Sequence, residues 1–166
     1  MVTGMRMRWH QLFETGDDFL DAAPFRYVNT VDLPVAPERL WAALTADDTL
    51  VSWSPLVTGV RWTTPRPFSV GTTREVTIFR LLTSRERYYR WDQGRRKTFS
   101  AVELSAPGLR RLAEDYVVAP TPEGSRFIWT VVFEPDPMLK PMLRLTSPIT
   151  AWLLRRAARG MRSQLV

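Results

Sequence analysis

The chain of 166 residues contains no cysteine. Disulfides, thiolate nucleophiles and the common cysteine-bearing zinc sites are excluded together. Histidine is almost as scarce. His10 is the single one, so a histidine cage for a metal lacks material, and a Ser-His-Asp triad would have to be assembled around that one ring. No metal and no cofactor is expected. Any proton transfer falls to carboxylates, tyrosine, arginine or ordered water. Long apolar runs are missing as well: no uncharged stretch approaches the ~20 residues that span a bilayer. The first 28 residues carry Asp17, Asp18 and Asp21 and no apolar core of a secretory leader. A cytoplasmic location is the resulting expectation.

Lysine is the last scarcity. Lys97 and Lys140 stand beside 21 arginines, and the net charge is +6. The basic clusters Arg95-Arg96-Lys97, Arg110-Arg111 and Arg155-Arg156 are short and far apart. They read as a solvated basic surface, and no nucleic-acid partner is expected.

What is present fits one domain of ordinary composition, with 45% hydrophobic and 24% charged residues. The exception is the seven tryptophans and eight phenylalanines. Large aromatics fill cores and line apolar pockets, so a cavity becomes a reasonable expectation.

Along the chain, residues 1–24 read as an N-terminal extension, with a short helix starting near Thr15 and Asp17 and stopping at Pro24. A strand follows from Phe25, with Tyr27, Val31 and Leu33 on one face. Pro37 opens a helix whose Leu40, Trp41 and Leu44 share a side. Asp47 caps a second short helix ending at Trp53. Strand patterns then dominate to Pro135. In the last, Phe127, Trp129, Val131 and Phe133 point one way, a wall of four large apolar groups. The chain closes with an amphipathic helix, its apolar stripe read as Leu139, Met142, Ile149, Leu153, Ala157 and Met161. Pro148 is expected to kink or divide it. Strands joined by short turns imply an antiparallel meander, and its apolar face needs the helix as a cover. The predicted class is α+β: a curved antiparallel sheet of about seven strands wrapped around a long C-terminal helix, in a domain spanning residues 25–166.

Three stretches carry a family resemblance. They are LPVAPERLWAALTADDTLVSWSPLV at Leu33–Val57, VGTTREVTI at Val70–Ile78, and EGSRFIWTVVFEP before the last helix. The first resembles the strand–proline–helix entry of the START-like, or Bet v 1-like, superfamily with its helix-grip fold. The nearest likeness is to bacterial proteins described as polyketide cyclase/dehydrase-like. The resemblance implies an elongated apolar cavity between sheet and last helix. It transfers no catalytic motif.

Candidate cavity residues follow. Phe127, Trp129 and Val131 supply wall from the last strand; Met142, Ile149 and Leu153 supply it from the helix. Trp53 is placed near the entrance. Glu114 and Tyr116 share a strand face, and with Glu103 form the polar set. If they face inward, burial would raise a carboxyl's pKa and make it a proton donor or acceptor. Arg74 and Glu75 alternate, so one of them at most points inward; an inward Arg74 would polarise a ligand carbonyl. A single slip of register reverses each of these assignments.

Two function classes remain open. One is the binding or carriage of a hydrophobic small molecule, lipid or polyketide-like. The other is a cyclase or dehydratase acting in the same cavity. Stable residence of the last helix on a membrane would uncover the sheet at a cost on the order of 10 kcal/mol. The helix is therefore expected to close the domain, leaving its basic outer side free for transient membrane contact.

Overall fold

The protein is described from a computed structural model covering residues 8–166; the first seven residues of the extension lie outside the described residues. The sheet runs β2 (Phe25–Leu33), β8 (Gly124–Pro135), β7 (Leu109–Thr121), β6 (Arg96–Leu104), β5 (Leu82–Asp92), β4 (Thr73–Ile78) and β3 (Val57–Trp62), in that spatial order. Every adjacent pair is antiparallel. A last helix, α3 (Lys140–Leu165), follows β8. This is the helix-grip architecture, and β3 to β8 form a meander, with two to four residues between successive strands from β4 onward and a ten-residue loop between β3 and β4.

Local chemistry explains the elements. Proline at the first position of α2 (Pro37–Thr45) pre-sets its backbone angle, and Leu40, Trp41 and Leu44 bury one face. The stretch from Asp47 to Trp53 winds as consecutive tight turns, interrupted where Leu50 adopts a left-handed φ of 67°. The β4–β5 turn places Phe79 and Arg80 at positive φ, as a tight hairpin demands.

The segment before β2 does more than lead in. β1 (His10–Gln11) pairs with β6, and Leu12 and Phe13 continue the bonding to Val102 and Arg110. Direct β6–β7 pairing ends at Ser100 and Ala113, so this segment fills the gap beyond it. The short helix α1 (Asp17–Ala22) buries Phe19 and Leu20 against Ala113 and Val132, on the face of the sheet away from α3.

The C-terminal helix departs from expectation twice. It continues unbroken through Pro148. Pro148 is exposed, so water can satisfy the carbonyl that proline leaves unbonded. Its buried side matches the expected stripe at Ala157 and Met161 but departs from it before them. The residues it buries are Ala157, Ala158, Met161 and Leu165, with Leu154 packed beside them, whereas Met142 and Ile149 are exposed and Leu153 is half-buried. Apolar residues occur on two opposite sides of this helix, so periodicity alone does not choose the inward one. No residue from Asp136 to Arg156 is buried, so burial against the sheet is confined to the last third of α3, and a 2.7 Å hydrogen bond between the Tyr27 hydroxyl and Ser147 Oγ ties its first part to β2.

That grip is close. The Trp53 backbone sits against Gly160, where a Cβ would overlap the Trp53 carbonyl oxygen. An alanine inside an exposed helix normally stabilises by roughly 0.5–1 kcal/mol relative to glycine. Gly160→Ala is expected to do the opposite and destabilise by on the order of 3 kcal/mol. Urea unfolding of the two proteins reads the sign.

Candidate functional site

A cavity of about 100 Å³ lies between the concave face of the sheet and α3. Most of its wall is aliphatic: Leu50, Leu56, Val57, Val76, Ile78, Leu82, Leu104, Leu109, Leu112 and Leu154. The polar part consists of Ser54 and a compact group of Arg74, Ser84, Glu86 and Glu114, with Trp129 beside them.

Arg74 and Glu86 face each other across the β4–β5 hairpin. Arg74 Nε donates to Glu86 Oε2 at 2.6 Å, and Ser84 Oγ donates to Glu86 Oε1 at 2.7 Å. Both charged residues are buried. The guanidinium carbon lies 5.1–5.9 Å from the ring centres of Trp62, Tyr88, Phe99 and Tyr116. Burial, the largest single influence, favours losing the proton, but the Glu86 charge and hydrogen bond together with Tyr88 and Tyr116 outweigh it and hold the Arg74 pKa well above the ordinary value. Arg74 Nη1 is buried and finds no protein acceptor. A buried donor without a partner is expensive, and it marks the place where a guest's oxygen or a water is wanted.

Glu114 comes from β7. Its Oε2 accepts from the Tyr116 hydroxyl at 2.6 Å and from Trp129 Nε1 at 2.8 Å. Arg74 Nη2 makes a long contact, 3.5 Å, to the same Tyr116 hydroxyl, so tyrosine links the two charged groups. Burial pushes the Glu114 carboxyl up to about 7, with Glu86 adding repulsion, against the pull of the Tyr116 and Trp129 hydrogen bonds and of Arg74. A carboxyl balanced there can give or take a proton near neutral pH. Desolvation and the Glu114 charge raise the Tyr116 pKa, so its hydroxyl stays a donor.

Lys97 lies deeper. It is wholly buried, donates to the Leu44 carbonyl at 2.6 Å and sits among the rings of Trp62, Tyr88, Trp91 and Tyr116. Burial, then the Arg74 charge, drives its pKa well below the lysine range. It does not line the cavity and serves to close this end of the core.

Of the residues singled out in the sequence, Arg74, Glu114 and Trp129 line the cavity and Tyr116 bonds to the first two. Phe127 and Val131 are packed in the core behind. Trp53 is buried with its ring edge-on to Phe127 and Trp129, at 5.9 and 5.5 Å, and its backbone packs against Gly160 of α3. Met142 and Ile149 face solvent, and Leu153 gives way to its neighbour Leu154 at the wall. Glu103 is on the other face of the sheet, bound to Arg85 at 2.7 Å and to Gln11 at 2.6 Å. The cause is a bulge: Arg85 pairs with Glu103 but Glu86 pairs with Ala101, and the extra Val102 inverts every side chain beyond it. Glu75 likewise points outward, bridging Arg61 and Arg85.

Glu86 and Ser84 escaped sequence reasoning. The signal was available. Counting outward from a hairpin tip at Arg80 sets Ile78 opposite Leu82 and Arg74 opposite Glu86. Among the described residues no cluster of acidic or histidine side chains has the make-up of a metal site.

A half-open sheet closed by a C-terminal helix over a mostly apolar cavity is the START-like, helix-grip fold. The chain belongs to the family described as polyketide cyclase / dehydrase and lipid transport, whose model matches residues 24–166. It is 34% identical to uncharacterized proteins of Mycobacterium tuberculosis and Mycobacterium bovis over 147 residues, covering 89% of this chain and 88% of theirs. Among solved structures, a Thermus thermophilus protein superposes with a TM-score of 0.70 at 18% identity, covering 85% of this chain and 97% of that one. A START superfamily protein from Mycobacterium smegmatis gives 0.66 at 13%, covering 85% and 99%. The di-domain ARO/CYC StfQ of the steffimycin biosynthetic pathway gives 0.67 at 12%, over 84% of this chain and 50% of that one. At such identities these structures establish the fold alone.

The raised Glu114 value has a consequence for stability. Its folded-state pKa lies above the ordinary 4.5, so folding favours the protonated form. This contribution is complete below about pH 4.5 and is lost as pH rises through about 7. Glu114→Gln keeps a neutral group of the same shape. In urea titrations wild type should lose stability relative to Glu114→Gln across that interval. A difference that stays constant with pH would refute the assignment.

Proposed function

We propose that the protein binds a small, largely apolar molecule carrying one oxygen-bearing group, which sits against Arg74 and Glu114. The observation that carries this reading is the convergence of a buried guanidinium with an unspent donor and a near-neutral carboxyl on a cavity otherwise walled by aliphatic side chains. Ligand sites are built this way: apolar surface for affinity, a few fixed polar groups for orientation. Family membership supports it.

Size sets a condition. The cavity of about 100 Å³ is well below the ~300–1,000 Å³ of pockets that hold drug-sized molecules. A larger guest must widen it. The side least resistant to widening is the first part of α3, where nothing is buried, together with Leu154, the helix's contribution to the wall.

A second reading, catalysis of a cyclase or dehydratase type, draws on the Glu114 carboxyl itself. Its pKa of about 7 suits a general acid or base, and Arg74 would stabilise negative charge developing on a substrate oxygen.

Native mass spectrometry of freshly purified protein, compared with a denatured sample, tests the first reading. A co-purifying apolar molecule, or saturable displacement of an anilinonaphthalene sulfonate probe, is expected. Leu104→Trp, which fills the cavity from its wall, should abolish the signal. Probe binding unaffected by Leu104→Trp would overturn the site. For the second reading, turnover of a poly-β-ketone chain should follow a pH profile turning near 7, and Glu114→Gln should remove turnover while retaining binding. Binding without turnover on any such chain leaves a carrier.

A further inference from the structure

The outer side of α3 is unlike a solvated surface. Met138, Met142, Leu145, Ile149 and Trp152 are 54–91% exposed. Met142, Leu145, Ile149 and Trp152, spaced three, four and three residues apart, align in one stripe of α3 on the side opposite its buried Ala157, Ala158 and Met161, and Met138 stands in the 3-10 turn just before the helix. Around and beyond this stripe stand Lys140, Arg144, Arg155, Arg156, Arg159 and Arg162. No acidic residue occurs anywhere in α3. None of these six cations has an ion-pair partner among the described residues. Trp152 adjoins a surface groove lined by Arg155, Arg156 and Arg159, with the Arg156 guanidinium 5.8 Å from its ring centre.

From this arrangement we infer that the outer face of α3 docks on an anionic lipid bilayer, with the stripe entering the headgroup–acyl boundary and the arginines on lipid phosphates. An amphipathic helix with apolar side chains, an interfacial tryptophan and an unbroken positive charge is suited to that surface. A second copy of the chain is a poor occupant, because pairing two such faces would bring cation against cation with no carboxylate between them. Docking requires no unfolding. The residues that hold the sheet to α3 lie on its other side, so the core stays covered while the stripe is immersed. Exposed Phe79 and Leu81, in the turn beside the cavity residues Ile78 and Leu82, add apolar groups near the same cavity wall.

Co-sedimentation with sonicated vesicles tests this without reference to any guest in the cavity. Protein should sediment with phosphatidylglycerol-containing vesicles, much less with pure phosphatidylcholine, and less again in high salt. Leu145→Glu with Ile149→Glu should abolish binding. Arg155→Gln and Arg156→Gln should each weaken it roughly fivefold. All four positions are exposed, and unchanged thermal unfolding of the variants checks that the fold is intact. No sedimentation, equal binding to both vesicle types, or binding indifferent to the stripe variant would overturn the proposal. So would a dimer in analytical ultracentrifugation that Leu145→Glu with Ile149→Glu converts to monomer, since a second copy would then be the occupant. The vesicle result is separable from the cavity reading, because a protein emptied of any guest keeps the same helix face.

Discussion

The contact on which the interior depends is the ion pair between Arg74 and Glu86. A guanidinium cannot be taken out of water without compensation, and the desolvation of two ions is repaid only by close geometry and further hydrogen bonds. Here Glu86 takes two bonds on separate oxygens, four aromatic rings surround the cation, and Tyr116 passes the network on to Glu114. One guanidinium nitrogen is left over. A fully satisfied pair would be an inert brace. An incompletely satisfied one in a cavity wall is a reason for a polar guest to enter, and it explains why the ionisable groups are gathered at one spot.

The same cluster makes the concave face a hybrid. Toward Trp53, Phe127 and Gly160 the aromatic side chains meet and the interior is packed as a core. Toward Leu56, Ile78, Leu82 and Leu109 the walls separate and leave space. The helix follows this division, buried along its last third and, before that, unburied and tied to β2 by the Tyr27–Ser147 hydrogen bond. The burial that holds α3 in place and the cavity wall at Leu154 thereby fall in different parts of one element.

Much of this was legible in the sequence. Alternation located β2 and β8, proline and spacing located α2, and the succession of turns specified a meander that must be covered by the only long helix. Arg74, Glu114 and Trp129 could be singled out as candidates because each lies in a regular stretch, but periodicity left open which of Arg74 and Glu75 faces inward and whether Glu114 does. The outward face of Glu103 was not legible, since a single bulged residue, Val102, inverts it without any mark in composition. Nor was the helix phase ahead of Ala157. With apolar side chains on both sides of α3, the inward side is chosen by what packs there, and small Ala157, Ala158 and Gly160 permit the close approach to Trp53 that bulky residues would prevent. Pro148 was read as a break because its missing donor is a local property, but its exposure, which makes that loss tolerable, is not.

The sequence by itself therefore determined the architecture, the family and the absence of cysteine chemistry, because these follow from local periodicity and from which side chains exist at all. Only the tertiary structure decided which carboxylates share the cavity, where the walls part and which side of the last helix is left to solvent. Those outcomes depend on strand register and on volumes meeting across the fold, and neither is encoded within any one stretch of chain.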